Sequence, residues 1–165
     1  MKIIDYKDLY EDFYFYKEFS GLEAVSEIIH DVKINGDCAL KKYSKQFGDG
    51  EIENPELSRE EIEKALSETP EEILQNIRQA VNSTKIFAEA QLSAIKEIEI
   101  NNNGAILGHK IIPLERTGAY VPGGNYPLPS SAIMSVVPAK VAGVKEVIVC
   151  SPKIQNPTIA ASVLA

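Results

Sequence analysis

The sequence predicts an α/β protein, with a mainly helical region over residues 1–100 followed by the first half of an open sheet over residues 101–165. Three observations carry this. Apolar residues in the first hundred positions recur at helical spacing. After residue 100 the pattern shifts to short runs rich in isoleucine and valine, bounded by Gly, Pro and Asn. Those runs alternate with helix-start signals, the strand–helix–strand–helix order of open α/β sheets.

The helices come first. Ser20 followed by Glu23 fits a capping box, and Leu22, Val25, Ile28, Ile29 and Val32 follow at helical spacing. Asn35-Gly36 stops that helix, and Asp37 is placed to cap the next. There Leu40, Tyr43 and Phe47 share a face, and Gly48 ends it. Ser58 with Glu61 makes a second capping box, opening a short helix that ends near Ser67. Thr69-Pro70-Glu71-Glu72 reads as a cap, a proline at the first helical position, and acids at the positive end of the dipole. Ile73, Ile77, Val81, Ala88, Leu92 and Ile95 then trace one face of a long helix.

The second region reads differently. Asn101-Asn102-Asn103-Gly104 is a turn, and Ala105–Pro113 and Arg116–Val121 read as strands. A glycine turn and a proline-stiffened loop, Pro122–Pro129, follow. Ser130 is placed to cap a helix through Ile133, Met134, Val137 and Val141, closed by Gly143, with Pro138 inside it. Glu146–Cys150 reads as a buried strand, and Ser151-Pro152 turns the chain. Asn156 and Pro157 start a last helix that reaches Ala165 on an apolar face, with little to pack on and no C-cap. The expectation is a piece of a longer chain; a compact domain with a frayed tail is the alternative.

Composition narrows the function. The chain is 44% hydrophobic and 25% charged, ordinary values for a globular protein. Its net charge of −7 is unevenly spread. Residues 1–100 carry 22 acids against 12 bases, and residues 101–165 carry 2 acids against 5 bases. The acidic half disfavours nucleic acid or an anionic membrane as a partner. No stretch approaches the roughly 20 apolar residues of a membrane span. The opening MKIIDYKDLYEDF has acids where a signal peptide has its apolar run, so a cytoplasmic location is expected. Cys38 and Cys150 lie far apart with no CxxC spacing, against a disulfide framework or a zinc ribbon, and Cys150 is expected to be a buried thiol. Of the two histidines, His30 reads as a solvated residue at a helix end and His109 as a strand residue with a surface or core-edge role. Neither has a partner at metal-ligand spacing.

The run Gly118–Gly143 is the candidate site. A strand leads into Gly123-Gly124, and a helix N-terminus follows whose free N–H groups would favour a phosphate. Tyr120 falls at the carboxyl end of the strand, the edge where open α/β sheets bind ligands. Its ring can stack on a planar base. Gly123-Gly124 is not a GxGxxG fingerprint and nothing matches a P-loop, so an ordinary tight turn remains the other reading.

Residues 115–152, ERTGAYVPGGNYPLPSSAIMSVVPAKVAGVKEVIVCSP, resemble the central signature of histidinol dehydrogenase. The likeness includes the Tyr-Val-Pro-Gly-Gly turn, the Pro-Ser-Ser helix start, the proline inside the helix and the strand ending in Ser-Pro. A second patch at 35–47, NGDCALKKYSKQF, is similar to an early helix of that family. The resemblance runs from about residue 20 to the last residue and covers the front part of the family's longer chain. It implies an incomplete Rossmann-like fold, with residues 101–165 starting the NAD-binding domain. It also implies a homodimer that oxidises L-histidinol to L-histidine in two NAD-linked steps, with a zinc ion holding the substrate. Tyr120 matches the family's tyrosine at the NAD site, and Pro122 lies beside it in the same turn. The zinc ligands and the glutamate–histidine pair that moves protons belong to a later region, so no catalytic or metal residue is expected here and the isolated chain is expected to be inactive. Departures occur at Asn35, at Gly48-Asp49-Gly50 and at Asn125-Tyr126. The alternative is a stand-alone interaction or nucleotide-binding module without catalysis.

Overall fold

The structure, a computed structural model, describes residues 21–48, 50–123 and 126–165. The chain divides into two compact units between Pro55 and Glu56.

In the first unit, α1 (Leu22–Asn35) and α2 (Asp37–Gln46) are joined by Gly36 alone. Gly36 has φ 53, donates its N–H to the Val32 carbonyl and occupies the N-cap position of α2. One residue thus ends one helix and starts the next, so Asp37 falls inside the first turn of α2 and is not its cap. There its charge still faces the positive end of the helix dipole. Gly21 precedes α1 without a side-chain cap, and Ser20, half of the expected capping box, lies outside the described residues. Ala39 and Ser44 are the buried residues of α2, and the Ser44 hydroxyl donates to the Gly50 carbonyl at 3.0 Å. Tyr43 and Phe47 stack with centroids 6.0 Å apart. On α1, Leu22, Val25 and Ile29 are exposed, and only Ile28 and Val32 of the apolar face are partly covered.

Asp31 ties the two helices. Its carboxylate accepts from Lys42 Nζ at 2.8 Å and from Asn35 Nδ2 at 2.6 Å. The Lys42 hydrogen bond, helped by those from Asn35 and Tyr43, lowers the Asp31 pKa from 3.8 to about 2.

The second unit opens with α3 (Arg59–Glu68) and α4 (Glu71–Ser93). The expected capping box forms in full: Ser58 Oγ accepts from the Glu61 N–H and the Glu61 carboxylate accepts from the Ser58 N–H. Thr69 does not cap α4. Its hydroxyl turns back to the Ala65 carbonyl at 2.7 Å, and Pro70 takes the N-cap position. The buried face of α4 runs through Leu74, Ile77 and Ala88, while Ile73 is exposed and Ile95, expected on the same face, lies exposed beyond the helix end.

Next comes a hairpin of β1 (Ile98–Asn102) and β2 (Ala105–His109), closed by Asn103 and Gly104 at positive φ. Positive φ at both loop residues is what a type I′ turn requires. Asn101 and Asn102, expected in the turn, are strand residues, and the strand expected to reach Pro113 stops at His109.

The remaining elements are β3 (Arg116–Tyr120), α5 (Pro129–Val141), β4 (Glu146–Cys150) and α6 (Asn156–Leu164). β3 and β4 pair in parallel, with Arg116 opposite Glu146 and Tyr120 opposite Cys150. The core joins Leu74 and Ile77 of α4, Val121 directly after β3, Ala132, Ile133 and Val137 of α5, and Ala160 and Ala161 of α6. This confirms a mixed α/β protein with a parallel strand pair crossed over by a helix.

Three sequence expectations fail here. β4 is not buried on both sides: Glu146, Ile148 and Cys150 are exposed and Val147 and Val149 are partly covered, because α5 lies over one face only. Ser130 and Asn156 are not caps; Leu128 and Gln155 hold those positions, and a proline near each helix start pre-sets the backbone. The Asn156 amide instead donates to Glu68 at 3.0 Å. α6 also has much to pack on: it contacts α3, α4 and α5 and buries Thr158, Ile159, Ala160 and Ala161. Its paired alanines permit that close approach.

Two outcomes test these contacts. Replacing Ser58 with alanine removes the cap of α3 and should lower unfolding free energy by about 1 kcal/mol in urea titration. For Asp31, the depressed pKa means that its contribution to stability is present above pH 3.8 and is lost as pH falls through about 2. A carboxyl NMR titration should give that low value, and Lys42→Ala should return it toward 3.8.

Candidate functional site

The carboxyl edge of the β3–β4 pair is built by alternation. Ala119 and Val121 point into the core beneath α5, so Tyr120 emerges on the opposite, uncovered face. Tyr120 is 69% exposed and Val121 is fully buried. The Val121 N–H donates to the Cys150 carbonyl at 2.8 Å, extending the ladder one residue past the strand. Pro122 is exposed again. Tyr120 and Pro122 are therefore presented on either side of one buried anchor.

The turn then presses on the connection that follows β4. A Cβ at Gly123 would lie 2.0 Å from the Pro152 carbonyl oxygen and 2.9 Å from Ser151 Oγ. Gly123 is thus required by a contact within the protein, whereas the sequence suggested room for a ligand. Gly124 and Asn125 lie outside the described residues. The loop re-enters the fold at Leu128, whose N–H donates to Thr158 Oγ1 at 3.2 Å. Tyr126 is exposed within it, and Ser130 is exposed in the first turn of α5.

Two concavities of the second unit lie away from this edge. One of about 570 Å³ lies among Val81, Lys85, Leu92, Val137, Lys140 and Ala165. The other, about 310 Å³, lies on the hairpin beside Ile98, Ile106 and His109.

The Cys150 thiol is exposed, as is that of Cys38, which corrects the expectation of a buried cysteine. Cys150 shares the uncovered sheet face with Tyr120. His30 is exposed within α1, not at its end, and His109 Nε2 lies 2.9 Å from the Lys96 carbonyl. Among the described residues no three His, Cys, Asp or Glu side chains are grouped to hold a metal ion, so they do not fit a zinc site. No described helix is long and apolar enough to cross a membrane.

The contacts at Gly123 and Thr158 were invisible in the sequence. Both depend on residues some thirty positions apart, brought together by the parallel register.

These features define an α/β protein whose parallel strands carry an open carboxyl edge, with an aromatic ring displayed there. The family profile described as Histidinol dehydrogenase matches residues 17–165. The chain belongs to the histidinol dehydrogenase family. It is 45% identical over 130 residues to the histidinol dehydrogenase of Methanosarcina mazei, covering 79% of this chain and 30% of that protein. It is 39% identical over 130 residues to that of Bacillus subtilis, with the same coverage of each. A crystal structure of histidinol dehydrogenase from Elizabethkingia anophelis superposes with a TM-score of 0.80 at 26% identity, over 91% of this chain and 36% of that one. The chain thus spans about 30% of the length of the curated relatives it matches.

The exposure of both cysteines has a direct check. Ellman's reagent should titrate two thiols per chain without denaturant; a single reacting thiol would show one of the two to be covered.

Proposed function

We propose that this chain is the N-terminal portion of a histidinol dehydrogenase that oxidises L-histidinol to L-histidine in two NAD-linked steps, through an aldehyde. The observation that carries the reading is the exposed Tyr120 at the carboxyl edge of a parallel strand pair, in a chain 45% identical to a curated enzyme of that name. In this reading the strand pair is the start of an incomplete Rossmann-like sheet, completed by other parts of the protein. The working form is a cytoplasmic homodimer, and nucleic acid and membranes are not partners.

The residues present suit one wall of a dinucleotide site. Tyr120 offers a solvent-facing ring for stacking and a hydroxyl for a hydrogen bond. Pro122 adds a rigid apolar contact beside it. The first turn of α5 adds the positive end of a helix dipole. NAD, when bound, accepts hydride from the carbon being oxidised in each step. In this reading metal binding and proton transfer fall to the rest of the enzyme, beyond the roughly 30% of its relatives' length that this chain spans.

Turnover separates the assignments. The 165-residue chain, given L-histidinol, NAD and zinc, should show none, while the full-length protein should form L-histidine. Robust turnover by the short chain would overturn this reading. In the full-length protein, Tyr120→Ala should raise KM for NAD about tenfold, the scale of a lost aromatic stack of about 1.4 kcal/mol.

A further inference from the structure

The turn that carries Pro122 is held at its start by the end of β4 and the connection that follows it, and Leu128 beyond it is held by α6. At its start, the Val121 N–H donates to the Cys150 carbonyl at 2.8 Å. Directly after Pro122, Gly123 sits so close to Ser151 and Pro152 that a Cβ would fall 2.0 Å from the Pro152 carbonyl oxygen. Beyond the turn, the Leu128 N–H donates to Thr158 Oγ1 at 3.2 Å. Thr158 is only 2% exposed and is fixed within α6, where its own carbonyl accepts from Ser162 Oγ at 2.7 Å. α6 in turn is packed on α3, α4 and α5. The described residues Val121, Gly123 and Leu128 are thus held against rigid elements, while Tyr126 faces solvent.

From this geometry we infer that Gly123 and Thr158 are positioning residues for dinucleotide binding. They touch no ligand themselves. Gly123 lets the Pro122 turn sit against the β4–α6 connection, Thr158 anchors Leu128 to α6, and together they set where Tyr120 and Pro122 meet the cofactor. The inference rests on the NAD reading of Tyr120 and Pro122. A side chain at residue 123 must push the turn away from Pro152, because the obstructing atom is backbone and has little freedom to move. Removing the Thr158 hydroxyl leaves the Leu128 N–H without its partner and frees the far end of the loop.

The test uses the full-length protein and compares NAD with L-histidinol binding by calorimetry in Gly123→Ala, Thr158→Val, Thr158→Ser and Tyr120→Ala. Gly123→Ala and Thr158→Val should each weaken NAD about tenfold, since small displacements of positioning groups have effects of this order or larger. L-histidinol affinity should stay within about twofold, as should NAD affinity in Thr158→Ser, which keeps the acceptor. If Tyr120→Ala weakens NAD but Gly123→Ala and Thr158→Val do not, the clamp is refuted and the NAD reading survives. If Tyr120→Ala has no effect, the NAD reading fails and takes the clamp with it. Equal weakening of both ligands would mark a general structural role and overturn the proposal. Should Thr158→Val not fold, Gly123→Ala decides by the same comparison.

Discussion

The parallel register of β3 on β4 sets the geometry of everything at the candidate site. Parallel neighbours need a crossover, and α5 provides it, lying on one face of the pair and burying Ala119 and Val121. Because side chains alternate along a strand, burying those two forces Tyr120 onto the open face. Because Tyr120 is opposite Cys150, the chain after β3 emerges directly beside the chain after β4. The close approach of Gly123 to Pro152 follows from that adjacency. The Arg116–Glu146 ion pair at 2.7 Å marks the other end of the same register, but both partners are exposed, and such pairs add about 0–1 kcal/mol. The hydrophobic anchor at Val121, together with the ladder bond of its N–H, fixes the edge more firmly.

Local signals in the sequence located most elements, and tertiary competition decided the details. The Ser58–Glu61 box formed because both partners lie within four residues and nothing else claims them. Thr69 and Asn156 carry the same kind of cap signal and were diverted, one to the Ala65 carbonyl and one to Glu68 across the α3–α6 contact. Ile98–Asn102 carries no clear strand signal, because its polar asparagines look like turn residues until Asn103-Gly104 closes the hairpin. The exposure of Cys150 has a different cause. An apolar run such as EVIVC shows that a strand can be buried, but not how many of its faces are covered.

The site shows the same division. Residue types and order were enough to place Tyr120 at a strand end and Pro122 in the turn after it. The supports of that turn were not, since Gly123 with Pro152 and Leu128 with Thr158 are about thirty residues apart. Gly123 illustrates the point: its presence was legible, its reason was not. A glycine in a turn signals either a backbone conformation or a close approach, and only the fold says what approaches.

The uncovered surfaces fit a segment that makes up about 30% of the length of its relatives. On the hairpin, Ile98, Ile100 and Leu107 share one face through the register and all are exposed. On the parallel pair, Tyr120, Ile148 and Cys150 do the same. An isolated two-stranded sheet is marginal in water, and parallel sheets are normally covered on both faces. The second unit is nevertheless well cored, because α4, α5 and α6 bury one another and carry the strand pair on their side. That core lies on the other side of the strand pair from the open sheet face. That face is free to be shaped by whatever it meets, and Tyr120 lies on it at the edge where ligands of open α/β sheets bind.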